Sequence, residues 1–433
     1  MTAAEGGAST TGAPKTTASG GGPKTTASGG ASATGAPGAA APAPLAGIRV
    51  VELGHWMAAP AAGGVLADWG ADVVKVEPPG GEPMRTIWGS AGANPDAPNG
   101  AFTSANRGKR SIELDVRSEA GREVLGRLLA DADVLLSNLR PSALERLGLS
   151  PAEVREQYPR LVFCSLSAYG WGGPDQERAG YDLAGFFARA GVANAITTQG
   201  TPPAAMWTGI GDTFTAMAAV AGISAALVER ATTGRGRMVE ASLQRTGMWA
   251  LAGELGTQAM GGRPRPPDPR EKCPTPMDNS YRTADDRWFF LVGVEAGRQV
   301  PKVLAAIGRD DLRDDERFAG ARALTKNRVE VVAILDEAFA ARPLDHWSKV
   351  FDEHDVFWAP IQNAAEVLDD PQARATGAWL RVEGAGVESV DAPIRWDGHA
   401  RGTVAPPPRA GQHTRELLES LGYGGEEIES LLP

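Results

Sequence analysis

Asp212 is the residue whose setting best suits covalent chemistry. It closes the segment Thr208-Gly209-Ile210-Gly211-Asp212, just before the apolar, helix-like run Thr213–Arg230. A carboxylate there reads as the N-cap of the helix, accepting hydrogen bonds from its first free N–H groups. The same position suits a reactive anion. A helix N-terminus stabilises negative charge and is expected to lower the carboxyl pKa, and Gly209 and Gly211 let a large ligand approach the backbone. An ionised carboxylate can attack an activated carbonyl. On local grounds, cap and nucleophile both stand.

Other catalytic signatures are missing. The turn after the first strand-like run reads Gly54-His55-Trp56-Met57-Ala58-Ala59-Pro60, not G-x-G-x-x-G, and Gly63-Gly64 falls inside the next helix. A dinucleotide-binding enzyme is therefore poorly supported. There is no G-x-x-x-x-G-K-[ST] loop and no G-x-S-x-G elbow. His55, His346, His354, His399 and His413 include no HExxH, and Cys164 and Cys273 match no ligand spacing, so no metal is expected. Candidate cations for an anionic cofactor are the turn Asn106-Arg107-Gly108-Lys109-Arg110, Arg117, Arg140 and Arg146. These charges read equally well as solvated surface.

Such residues need a scaffold, and the chain supplies one by alternation. Strand-like runs at Ile48–Leu53, Val73–Glu77, Lys109–Val116, Val134–Asn138 and Leu161–Ser167 alternate with helix-like runs. The helices fall near Ala59–Trp69, Ser118–Ala130 (with Ser118 as cap) and Ser142–Leu147. This pattern predicts an α/β fold with a parallel sheet covered on both faces. Residues 1–44 are low-complexity and read as a disordered tail, with the octapeptide PKTTASGG occurring twice. The proline-rich stretch Pro264–Pro276 separates residues 45–264 from a smaller unit at 265–370, with a strand at Trp288–Val294 and helices near Val300–Ile307 and Arg328–Ala341. A last segment, 371–433, carries a helix near Thr414–Leu421.

The chain has 433 residues, 42% hydrophobic and 22% charged, as expected of a globular protein with a sizeable core. A net charge of −10 gives no support for nucleic-acid binding. No apolar run is expected to reach the ~18 residues that span a bilayer, and the N-terminus lacks a signal-peptide centre. Two cysteines imply no disulfide framework, so a reducing cytoplasm is the default.

Six blocks, in order, resemble the class III CoA-transferases, the family that includes formyl-CoA and carnitine CoA-transferases and shares its fold with α-methylacyl-CoA racemase. They are Pro44–Leu53, Leu66–Glu77, Asn106–Ser111, Gly180-Tyr181-Asp182, Gly211-Asp212 and Thr233-Gly234-Arg235-Gly236. The resemblance runs from about Pro44 to the C-terminus. It implies a Rossmann-like large domain that binds CoA and includes the C-terminal segment, a smaller α+β domain, and an interlocked homodimer. No tightly bound cofactor is implied. An acyl-CoA donor and a carboxylic acid acceptor are the substrates, and Asp212 takes the place of the nucleophile that forms an acyl-aspartyl anhydride and an aspartyl-CoA thioester. Block position puts Met57 and Ala58 at the thioester and pantetheine, Leu114 and Arg117 at one nucleotide-contacting segment, and Asn138, Leu139 and Arg146 at another. His55, Tyr181 and Asp182 border the acyl group. Met57 stands where formyl-CoA transferase has a glutamine, which argues against a formyl or oxalyl substrate.

The racemase branch uses the same aspartate as an acid/base, with a histidine at the position held here by Tyr181. A phenol of pKa about 10 replaces imidazole poorly, so transfer is favoured over racemisation. A non-catalytic CoA-binding protein is the third reading. Trp56, Trp171, Trp207 and Trp249, near the matched blocks, are candidates to line a site for a bulky hydrophobic acid, and a short dicarboxylate donor such as succinyl-CoA stands as an equal alternative.

Overall fold

A computed structural model of the chain describes residues 42–87, 98–204, 206–397 and 401–432. The expected tail lies, up to Ala41, outside the described residues. Six strands form the main sheet: β1 (Arg49–Leu53), β2 (Asp72–Glu77), β3 (Arg110–Glu113), β4 (Val134–Ser137), β5 (Val162–Ser167) and β6 (Met238–Ser242). All pairings are parallel and the order is β3-β2-β1-β4-β5-β6, the doubly wound order of a Rossmann-like sheet. Runs such as Val-Leu-Leu in β4 are buried on both faces because helices cover both sides. Ala58–Asp68 and Ile210–Thr233 pack on one face, around Leu66, Val220 and Ile223. Glu119–Ala130 and the C-terminal helix Thr414–Ser420 pack on the other, around Leu125, Leu417 and Leu418. Ser118 caps Glu119–Ala130 by accepting from Gly121 N at 2.9 Å.

Two expectations about this sheet need correction. The strand anticipated over Lys109–Val116 is only Arg110–Glu113. Its partner β2 ends at Glu77, opposite Glu113, and Pro78-Pro79 cannot extend the ladder. The basic turn Asn106–Arg110 is not solvated either. Arg107 is buried and grips Asp68 at 2.6 Å, while Asp68 also meets Arg401 at 2.7 Å. Lys109 is buried and reaches Glu52 at 2.6 Å. These two cations are committed to the interior and are not phosphate ligands.

Lys109 belongs to a larger cluster. Lys75 of β2 contacts Glu52 of β1 at 2.9 Å and Glu82 at 2.7 Å, and all four side chains are closed off from water. Lys109 also donates to Pro60 O at 2.8 Å and Asn106 Oδ1 at 3.0 Å. Burial opposes ionisation of Glu52, but Lys109 and Lys75 outweigh it and hold its pKa below the ordinary value. Burial also opposes the charge on Lys75, which Glu52 and Glu82 restore, raising its pKa. Lys109 is pushed down to about 8, chiefly by burial. Gly63 is the residue that makes room: a Cβ there would lie 2.0 Å from Glu52 Oε2.

Ile210–Thr233 corrects a third expectation, because this 24-residue helix is long and apolar enough by composition to cross a bilayer. Its buried residues Ala216, Ala219, Val220 and Ile223 pack instead into the core beneath the sheet. Farther along the chain, β7 (Asp278–Arg282), β8 (Trp288–Val292) and β9 (Trp358–Pro360) form an antiparallel sheet. Its core joins Tyr281 and Phe289 to Val303, Leu335, Phe339 and Phe351 from three helices. The hairpin partner β7 precedes the first strand expected there. A third sheet has β10 (Trp379–Val382) between β11 (Val387–Val390) and β12 (Thr403–Val404).

Glu52→Ala leaves two buried ammonium groups short of their shared carboxylate. We expect it to cost about 3–5 kcal/mol in urea unfolding. A change within about 0.5 kcal/mol, the range of surface substitutions, would contradict the buried-charge account.

Candidate active site

Strand order reverses between β1 and β4, and ligands of open α/β sheets bind in the crevice at such a point, beyond the C-terminal strand ends. The segments that leave those ends are Gly54–Met57 after β1 and Asn138–Arg140 after β4. They are tied to each other: His55 N donates to Asn138 Oδ1 at 3.1 Å, and Asn138 Nδ2 donates to His55 O at 2.7 Å. A cleft of about 400 Å³ opens between them, within the ~300–1,000 Å³ of small-molecule sites.

The cleft brings together His55, Met57, Ala58, Asn138, Leu139, Arg146, Tyr181 and Asp212 from the residues singled out in the sequence. It leaves out two. Leu114 is buried in the core with Ile112 and Val124, and Arg117 is exposed and paired with Asp115 at 2.9 Å. Asp182 is buried behind Tyr181 and is not among the lining residues. Of the four tryptophans, only Trp56 lines the cleft. Trp171 donates its indole N–H to Ser165 Oγ at 2.9 Å and packs against the sheet, while Trp207 and Trp249 are strongly exposed.

Sequence reasoning missed Arg178, Gln176, Ser142 and Leu243, which also line the cleft, and took Arg140, another lining residue, for surface as readily as for a cation. Arg178 and Gln176 lie on the turn before Gly180-Tyr181. Glu177 fastens that turn to the helix Pro141–Arg146, accepting from Ser142 N at 2.9 Å and from its hydroxyl at 2.7 Å. The nearness of Arg178 to the Gly180-Tyr181-Asp182 block was a usable signal. The Glu177–Ser142 pairing, 35 residues apart, was not.

Asp212 does not cap its helix. The cap is Gly209, in the left-handed region at φ 96°, and Asp212 sits inside the first turn of Ile210–Thr233. Among the described residues its carboxylate accepts no hydrogen bond. Gly211 serves packing rather than ligand approach, because a Cβ there would lie 2.5 Å from Phe186 Cβ. Asp182 performs the anchoring. Its carboxylate accepts from Gly209 N at 2.5 Å and from Leu183 N at 2.8 Å, joining the start of the long helix to the π-helical turn Leu183–Arg189. The lowered pKa expected for Asp212 is reversed: burial, with the Asp182 carboxylate adding to it, pushes Asp212 up to about 7. His55 is held below its ordinary pKa by burial and by Lys75, which favours the neutral imidazole.

The arrangement offers a half-buried carboxylate whose oxygens are unengaged among the described residues, an apolar and aromatic lining (Trp56, Met57, Leu166, Tyr181, Leu243), and exposed arginines Arg140, Arg146 and Arg178. Such a cleft can hold an anionic ligand by its charged end and present an activated carbonyl to Asp212.

Comparisons with known proteins point the same way. The sequence model described as CoA-transferase family III matches residues 45–414. The (R)-2-hydroxy-4-methylpentanoate CoA-transferase of Clostridioides difficile is 33% identical, covering 89% of this chain and 97% of its own. The cinnamoyl-CoA:phenyllactate CoA-transferase of Clostridium sporogenes is also 33% identical, covering 89% and 95%. Among solved structures, a CAIB/BAIF family protein from Brucella suis superposes with a TM-score of 0.77 at 30% identity, covering 88% of this chain and 100% of its own.

The raised Asp212 pKa carries a sign. Its folded value lies above the unfolded one, so the stabilisation is full below about pH 4 and is lost as pH rises through 7. Asp212→Asn should therefore gain stability relative to wild type between pH 4 and pH 8, read as a growing difference in denaturant midpoint. A difference independent of pH would refute the assignment.

Proposed function

The chain belongs to CoA-transferase family III and is a CoA-transferase, and from that premise we propose that it moves CoA between carboxylic acids through covalent intermediates on Asp212. The observation that carries this is the placing of Asp212: a carboxylate that accepts no hydrogen bond among the described residues, on the wall of the cleft at the sheet's topological switch point. An Asp212 oxygen attacks the donor thioester carbonyl and expels CoA thiolate, leaving an acyl-aspartyl anhydride. The thiolate attacks the aspartyl carbonyl, releasing the donor acid and leaving an aspartyl-CoA thioester. The acceptor carboxylate attacks that thioester, forming a second anhydride and freeing the thiolate again. Thiolate attack on the acceptor's acyl carbonyl releases the new CoA ester and regenerates Asp212. Each intermediate conserves the thioester's energy so long as water is excluded.

CoA enters as a substrate and not as a resident cofactor. Met57, Ala58, Asn138 and Leu139 flank the pantetheine and thioester, Tyr181 borders the acyl group, and Arg146, with Arg140 and Arg178 nearby, meets the phosphates; the common cleft supports this. Similarity to relatives named for a branched 2-hydroxy acid and for cinnamoyl and phenyllactyl groups supports an apolar acyl substrate. Residues 45–264 with 371–433 act as the CoA-binding domain and 265–370 as the smaller one, in an interlocked homodimer. Phe214, Val228, Met248, Trp249 and Met260, apolar and exposed in the single chain, support the dimer. A reducing cytoplasm suits the two free cysteines.

Racemisation is the second reading, because His55 lines the same cleft as Asp212 and a carboxyl of pKa about 7 suits proton exchange. Incubation with an acyl-CoA separates the two. Transfer gives a CoA thioester adduct on the Asp212 peptide in mass analysis. Racemisation gives solvent deuterium at the α-carbon instead. We expect the adduct, and expect Asp212→Ala to lower exchange of CoA between acids by at least about 10³-fold; full exchange by that variant would exclude the mechanism.

A further inference from the structure

Trp56 has a backbone that a tryptophan adopts only under constraint, at φ 67° in the left-handed region. The constraint is visible. Its N–H donates to Glu82 Oε2 at 2.7 Å, and the other oxygen of Glu82 meets Lys75 Nζ at 2.7 Å. Lys75 in turn donates to Gly54 O at 3.2 Å, so one buried ammonium and one buried carboxylate hold both sides of the loop. Glu82 is itself fixed, its N–H donating to Glu77 Oε2 at 3.0 Å. A surface loop carrying a tryptophan has no need of such an apparatus, and left-handed backbone at a non-glycine residue concentrates at functional sites. What the strain achieves is the direction of the indole. Trp56 lines the cleft that holds Asp212 and meets Tyr181 edge to face, with ring centroids 5.6 Å apart.

We infer that Glu82 is a positioning residue that holds Trp56 left-handed, so that its indole and Tyr181 form an aromatic wall selecting bulky apolar or aromatic acyl groups. Two rings at right angles offer a third ring both a face and an edge, and a broad apolar area that a one-carbon group leaves unfilled. The inference rests on the transferase reading for the CoA ester alone. Selectivity belongs to binding, so it can be read without turnover.

The test is calorimetric titration with two unreactive thioethers, S-benzyl-CoA and S-methyl-CoA, against wild type, Trp56→Gly, Glu82→Gln and the double variant. Glycine accepts φ 67° and leaves the buried charges intact, so Trp56→Gly decides the matter even if Glu82→Gln does not fold. We expect wild type to prefer the benzyl thioether by about tenfold or more. Trp56→Gly should abolish that preference with little change in S-methyl-CoA affinity, Glu82→Gln should lose part of it, and the double variant should lose no more than Trp56→Gly. Equal affinities in wild type, a preference retained by Trp56→Gly, or an equal loss for both thioethers in Glu82→Gln would each overturn the inference while leaving the transferase reading standing. Wild type that binds neither thioether would overturn both.

Discussion

Glu52 lies near the C-terminal end of β1, closed off from water and shared by two lysine ammoniums, and the geometry of the candidate crevice descends from that arrangement. A buried carboxylate is tolerable only when its partners are close and its remaining hydrogen-bonding capacity is met. Here the partners come from three places: the neighbouring strand, the residue just before β3, and, through Lys75, the loop after β2 that carries Glu82. The demand for close partners therefore fixes the mutual positions of three strand ends. It also explains a helix rich in small residues on that face, since a side chain at Gly63 would collide with Glu52. Packing alone would allow these elements to slide; a carboxylate that must meet two ammoniums at under 3 Å does not.

From the strand ends the crevice follows. Gly54–Met57 emerges from β1 under the hold of Lys75 and Glu82, and the Asn138 amide zips it to the loop leaving β4. The opposite wall comes from residues far away in the chain: the turn before Tyr181, clamped to the helix after β4 by Glu177, and the first turn of the long helix bearing Asp212. Each wall is held by charged or amide side chains bonded to backbone groups, which positions polar atoms more tightly than apolar contact does.

How far this was readable from the chain depended on the range of the interaction. The alternation of apolar strands with helices is local, and it located β1, β2, β4 and β5 and the helices after β1 and β3 to within a residue or two. Blocks of resemblance located part of the cleft lining, including His55, Met57, Tyr181 and Asp212. The failures share a cause. Arg107 and Lys109 look like any solvated basic turn, because their partners Asp68 and Glu52 are 39 and 57 residues distant. Leu114 and Arg117 follow β3 at the far side of β2 from the switch point, outside the cleft lining, so their CoA contacts stay what the resemblance implies, and no local cue reports strand order. Asp212 looked like a cap because a cap and a first-turn acid differ by three residues of register, decided by Gly209 turning left-handed.

That register has a chemical consequence. Two carboxylates face each other across the start of the long helix, and their surroundings divide the work between them. Asp182 is buried with each oxygen engaged by a backbone N–H group, so its task is anchoring. Asp212 is half-buried and accepts nothing among the described residues, which leaves its lone pairs open for the attack proposed above. As a cap it would have been better stabilised as an anion and worse as a nucleophile, because the hydrogen bonds that hold a carboxylate ionised occupy the electrons it would donate. Burial and the charge of Asp182 raise its proton affinity instead, and greater basicity accompanies greater nucleophilicity among like groups. The positive end of the helix, one turn of peptide N–H groups beneath it, supplies a counterweight that strengthens as charge develops. The glycine that takes over the capping position, and the aspartate that ties it down, are what leave Asp212 free.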